Sequence, residues 1–134
     1  MKKLHAALLL AAAAMASPAL AKGPSTLAVR EGLTAEQLDA EGGICVKEAE
    51  NAERGRPHGN TPGGVAAAAA ARTATGWTDV QKFLKVHNAC LEGFGYRLVQ
   101  LTSDERREYG RAKGKAARLA YIVEFSRRAI AEGR

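Results

Sequence analysis

The chain has 134 residues, 46% of them hydrophobic and 25% charged, with a formal net charge of +6. That length suits one small domain with a modest core. The positive balance is mild and lacks the clustering that nucleic acid binding requires, so nucleic acid is set aside as a partner.

The first 21 residues read as a segment that does not belong to the fold. Lys2 and Lys3 precede an apolar stretch from Ala6 to Met15, Pro18 breaks it, and Ala19-Leu20-Ala21 matches the small-x-small rule for cleavage. This is the pattern of a secretory signal peptide over residues 1–21. A retained membrane anchor is the competing reading, but about 12 apolar residues fall short of the roughly 20 that cross a bilayer as a helix. No cysteine precedes Cys45, so a lipid anchor at the mature N-terminus has no residue to attach to. Cleavage leaves 113 residues and removes Lys2 and Lys3 but no acid, which lowers the formal charge to +4. The expected location is periplasmic or secreted.

In an exported chain, the two cysteines Cys45 and Cys90 read as one disulfide, because the compartments beyond the inner membrane are oxidising. The bridge closes a loop of about 45 residues, worth roughly 4 kcal/mol in the chain-entropy model. A metal site built from Cys45, Cys90, His87 and His58 is the alternative. His87 and Cys90 are three apart on one helix face, yet a close-spaced cysteine pair is missing. We expect no metal and no cofactor.

Residues 22–32, with Gly23, Pro24 and Ser25, read as a flexible lead-in to a single helical domain over 33–134. Thr34 and Gln37 form a capping box, flanked by Leu33 and Leu38 at the positions of a hydrophobic staple. The helix that follows carries one narrow stripe, Leu38, Gly42, Cys45, Ala49 and Ala52. Gly42-Gly43 either kinks this helix or lets a neighbour approach closely. From Arg54 to Gly64 glycines and prolines are too dense for a helix, so this is a loop. The alanine run from Val65 to Ala71 then favours a short helix that either packs or lies at the surface, or that associates with another chain or with lipid.

Thr78 and Gln81 open the next helix, whose expected apolar positions are Val80, Phe83, Leu84, His87, Leu91 and Phe94, with Cys90 at the edge. Trp77 is expected to fold back over that face. A lone histidine there is more often a hydrogen-bonded core residue than a ligand or base. Gly93 or Gly95 ends the helix. Arg97 to Leu101 reads as an extended connector, and Thr102 with Glu105 caps one long helix from Ser103 to about Glu132. One face of it, Tyr109, Ala112, Ala116, Leu119, Ala120, Val123 and Ile130, is expected to cover the clamped pair. The other carries Arg107, Arg111, Lys115 and Arg118, continued by Ile122, Phe125 and Ala129. It reads either as a solvated charge run ending in buried apolar positions or as a docking surface for a partner helix or an anionic envelope surface. Charge is also divided along the chain. Arg30 to Arg54 has three bases and seven acids, against ten bases and five acids from Arg97 to Arg134, so the two regions attract.

Cys45, Ala49 and Ala52, the Gly/Ala-rich stretch, then Phe83, Cys90, Gly95 and Tyr96 together resemble small exported bacterial proteins in which a glycine-zipper insert lies between paired cysteines. The resemblance covers Leu38 to Val99. It implies an insert that associates with membranes or with itself, although few glycines remain in this one and Arg72 interrupts its stripe.

Nothing in the chain carries a nucleophile elbow, a phosphate-cradling glycine loop, a His-Glu-x-x-His zinc helix or a Cys-x-x-Cys pair. The expectation is therefore an all-α protein, a small helical bundle or a disulfide-clamped helical hairpin plus one long C-terminal helix. Its function is expected to be non-enzymatic, in the cell envelope, through a protein partner, self-association or peripheral contact with an anionic envelope surface. The candidate surface is Arg107, Arg111, Lys115, Arg118, Ile122 and Phe125. The alternative is a periplasmic protein that binds a small ligand or metal through His58, His87 and the space beneath Trp77.

Overall fold

The helices start where the threonines place them. Thr34 accepts a hydrogen bond from the backbone N–H of Gln37, whose side chain accepts one from the Thr34 N–H, and Thr102 and Glu105 repeat the exchange. Thr61 and Thr78 cap two further helices through their hydroxyls. In the computed structural model of the protein, which describes residues 24–74 and 78–134, the order is β1 (Thr26–Val29), α1 (Ala35–Glu53), α2 (Pro62–Thr73), α3 (Asp79–Gly93), β2 (Arg97–Gln100), α4 (Ser103–Arg111) and α5 (Gly114–Ala131). The expected signal peptide and Trp77 lie outside the described residues. The fold is mostly α, as expected, with one small sheet added. Among the described residues no helix is long and apolar enough to cross a membrane.

Helices α1, α2 and α3 form one half. Cys45 and Cys90 are joined by a disulfide with a Cα–Cα distance of 5.4 Å, and both are fully buried. The bridge fixes which way α3 faces: Val86, one turn before Cys90, is buried, whereas Val80 and Leu84 of the expected stripe are 69% and 50% exposed. The anticipated apolar face is therefore rotated toward the cysteine. Leu38, Cys45, Ala49 and Ala52 of α1 are buried as expected. The alanine run is a packing helix, with Gly63, Gly64, Ala67 and Ala70 buried. Its backbone lies directly on α3, since a Cβ on Gly63 would sit 2.9 Å from the Cys90 carbonyl oxygen and one on Gly93 the same distance from the Gly63 Cα. Only glycine permits that approach.

The α1–α2 loop is pinned from below by a residue that its sequence position placed off the stripe. Glu48 is 7% exposed, and its carboxylate accepts from the Gly59 N–H at 2.8 Å and lies 2.8 Å from His58 Nδ1. These contacts offset the desolvation of a buried carboxylate.

The second half is built on a sheet that the sequence reading missed. Residues 26–29, expected within a flexible lead-in, pair antiparallel with Arg97–Gln100, expected as a connector. Leu27 and Val29 point to one face and Val99 and Leu101 join them there, over Phe125 and Ala129 of α5. Neither strand is stable alone; α5 packs on the face of Leu27 and Val29, and Ala28 on the other meets the cluster of α1 and α3.

The expected single C-terminal helix is two helices. Ala112 is extended, with ψ of 106°, and Gly114 has φ of +82°. The break turns α5 so that Ile122, Phe125, Ser126 and Ala129 meet β1, while Ala116 and Ala120 of the expected face are exposed. Tyr109, Tyr121 and Phe125 carry α4 across the break, with ring centroids 5.7 Å and 6.3 Å apart. Arg134 ties the far end, donating to both carboxylate oxygens of Glu105 at 2.7 and 3.1 Å and to the Gln100 carbonyl at 2.8 Å.

Polar contacts join the two halves. Arg30 donates to Glu41 at 2.8 Å and to the Phe94 carbonyl at 2.9 Å, with its guanidinium 4.5 Å from the centre of the Tyr96 ring. The Tyr96 hydroxyl donates to the same Glu41 oxygen at 2.6 Å. Burial and the adjacent Glu41 carboxylate hold that phenol protonated, well above its ordinary pKa.

Candidate binding cleft

Where the halves meet they do not close completely. An apolar cleft of about 460 Å3 lies between α1, α3, β1 and the α4–α5 arm. Leu38 and Val46 line it from α1, Leu91 from α3, Leu27 and Ala28 from β1, and Tyr109, Leu119 and Ile122 from the arm. Its volume falls within the about 300 to 1,000 Å3 of small-molecule sites. A smaller cleft of about 300 Å3, between Leu33 and Ile130, has the charged Arg30, Glu31 and Arg127 in its walls.

Gly42 and Gly43 form part of the α1 wall. Helix α1 runs through them without a break, and a Cβ on either would meet no atom within 4 Å. They therefore neither end the helix nor admit a neighbouring one. Gly42 is half-buried and Gly43 exposed, and without side chains neither narrows the cleft.

Polar groups in the cleft are few. The His87 ring is half-buried and stacks on Phe83, with centroids 5.9 Å apart. Burial lowers its pKa from the ordinary 6.5, partly opposed by a hydrogen bond with Asn88, so the imidazole is neutral at neutral pH. Asp39 is the acid in the wall, and Lys115 of α5 meets it at 2.7 Å, a pair that links α1 to α5. Arg118 lies 5.9 Å over the ring of Tyr109, another wall residue.

The other residues singled out from the sequence separate. Arg107, Arg111, Lys115 and Arg118 are exposed, but Phe125 is fully buried and Ile122 packs against both hydrophobic clusters. The six do not form one surface. The break at 112–114 and the unforeseen sheet account for this, since α5 turns its apolar residues onto β1. His58 serves the loop beside Glu48 while His87 faces the cleft, and among the described residues no three metal-ligating side chains converge. Lys115 and Asp39 realise the attraction anticipated between the acidic and basic regions of the chain. Glycines at 42 and 43, in a helix with a strong cap, were the one sequence signal for the cleft. Comparison with family models, with characterised proteins and with solved structures gave no match to the chain.

Proposed function

We propose that the protein is an exported, non-enzymatic binding protein that holds an apolar small molecule in the cleft between its two halves. The observation that carries this reading is the pair Gly42 and Gly43. Each glycine in a helix interior costs about 1 kcal/mol relative to alanine. Alanine at either position would touch nothing, so packing does not explain them. A bound molecule using that space does. Export is supported by residues 1–21 and by the buried Cys45–Cys90 bridge, since such bonds persist in oxidising compartments. Docking of a protein through Ile122 and Phe125 loses support because Phe125 is interior.

The test fills the cleft from its glycine wall. A neutral fluorescent probe such as phenylnaphthylamine is titrated into the native protein and into Gly42→Leu and Gly43→Leu. Binding at the cleft predicts at least a ten-fold loss of probe affinity with thermal stability kept or raised, because leucine is the better helix former. Unchanged affinity in both folded variants would reject the cleft as the site.

A further inference from the structure

We infer that the ligand of this cleft is a single-chain amphiphile with an anionic headgroup, its chain against Leu119 and Ile122 and its head at Lys115. The inference rests on the cleft reading above and adds the chemical class. Positions 115, 119, 122, 126 and 129 follow one line along α5, spaced four and three residues in turn. Ser126 and Ala129 on that line are buried beside β1, and Leu119 and Ile122 line the cleft. Lys115 is one turn further out on the same line, with a side chain 72% exposed. An apolar track thus ends in a cation.

The neighbouring charges agree. Arg118, three residues on, sits over the ring of Tyr109, so both cations lie next to the lining, whose own charged residue is Asp39. His87 contributes no charge inside the cleft at neutral pH. The acid nearby is Asp39, which Lys115 already engages in an exposed ion pair of the kind worth only about 0 to 1 kcal/mol. A carboxylate or phosphate head can compete with Asp39 for Lys115, its repulsion from that carboxylate set against the water its chain displaces from leucine side chains.

Three ligands with the same twelve-carbon chain separate the possibilities: dodecanoate, dodecanol and dodecyltrimethylammonium, each below its micelle concentration and titrated into the full chain by calorimetry. Dodecanoate is expected to bind at least ten-fold tighter than the other two, with the difference shrinking as salt rises. Lys115→Ala is expected to remove most of the preference for dodecanoate, and Lys115→Ala with Arg118→Ala all of it, each leaving dodecanol unchanged, and Lys115→Arg to restore it. An unaltered thermal midpoint shows that these exposed-site variants are folded. Equal binding of dodecanoate and dodecanol overturns the headgroup assignment while leaving the cleft reading intact. Preference for the ammonium overturns it in favour of Asp39 as the head's partner. Failure of all three to bind overturns both readings.

Discussion

The two halves of this small protein are secured by opposite means. In α1, α2 and α3 many of the contact residues are small, alanines and glycines beside Leu38, Val86 and Leu91, the helix backbones almost touch at Gly63 and Gly93, and one covalent bond sets the orientation. In β1, β2, α4 and α5 the contacts are large aromatic and aliphatic side chains, reinforced by long polar ones such as Arg134. Small residues bury little apolar area each, so the first half depends on its covalent clamp. The second obtains its stability from packing. A seam between surfaces of such different texture leaves space, and the cleft lies there.

The strongest way to break this contrast is to remove the clamp. Cys45→Ala with Cys90→Ala is expected to cost roughly 4 kcal/mol in denaturant unfolding, from the loop the bridge closes. Amide exchange then asks whether the halves are one cooperative unit. Protection should fall throughout the chain. If it fell only in α1, α2 and α3, the second half would be shown to stand alone.

A smaller loss is expected on the other side from Ser126→Ala. The Ser126 hydroxyl is 1% exposed, accepts from the Arg30 N–H and donates to the Arg30 carbonyl, each at 2.9 Å. Leaving both groups unpaired is expected to cost about 1 to 3 kcal/mol, with β1 amides losing protection first. Equal exchange at β1 in the variant and the native protein would show that the strand does not depend on this serine.

The weakest effect, and the sharpest discriminator, is acid. His87 in the first half has a folded pKa below its ordinary 6.5, so the unfolded chain takes up the proton first and stability declines as pH falls through that value. Glu105 in the second half is held at about 2, below its usual 4.5, mainly by its hydrogen bonds from Arg134. Its contribution is complete above pH 4.5 and is lost on descending toward 2. Stability measured against pH should therefore fall in two windows. His87→Gln should flatten the upper and Glu105→Gln the lower; if either variant left its own window unchanged, that residue would not be the group titrating there.

The clamped half was largely legible in the sequence because its signals are local. Thr34 with Gln37, the breaker-rich loop and the cysteine pair each act within a few residues or have a single solution, although the loop expected to run to Gly64 ends at Thr61, which caps α2 with Pro62 at its first turn. The sheet was not legible because Thr26–Val29 and Arg97–Gln100 are four residues each, and each gains its fold only from a partner far along the chain. The alternation of Leu27 and Val29, matched by Val99 and Leu101, was the available clue. Without the sheet, nothing decides whether Phe125 is a buried end of the charge run or part of a docking surface, since what lies beneath that face of the helix is not known. Glu48 was missed for a related reason: a carboxylate is placed outside unless its donors, here in a loop ten residues away, are known. The cleft is a property of the seam, and no periodicity within one element reports the space left between two.

The Ser126 hydroxyl has a consequence for how the protein behaves among copies of itself. The Ser25 carbonyl accepts from the Leu101 N–H, so strand alternation turns the N–H and C=O of Arg30 away from β2, toward the free margin of the ribbon. Such a margin can recruit another chain and propagate into aggregates. By satisfying donor and acceptor together, one serine takes the place that the next strand's backbone would occupy at Arg30. In the folded chain this closes the margin of β1 at Arg30, where a side chain stands in place of a third strand.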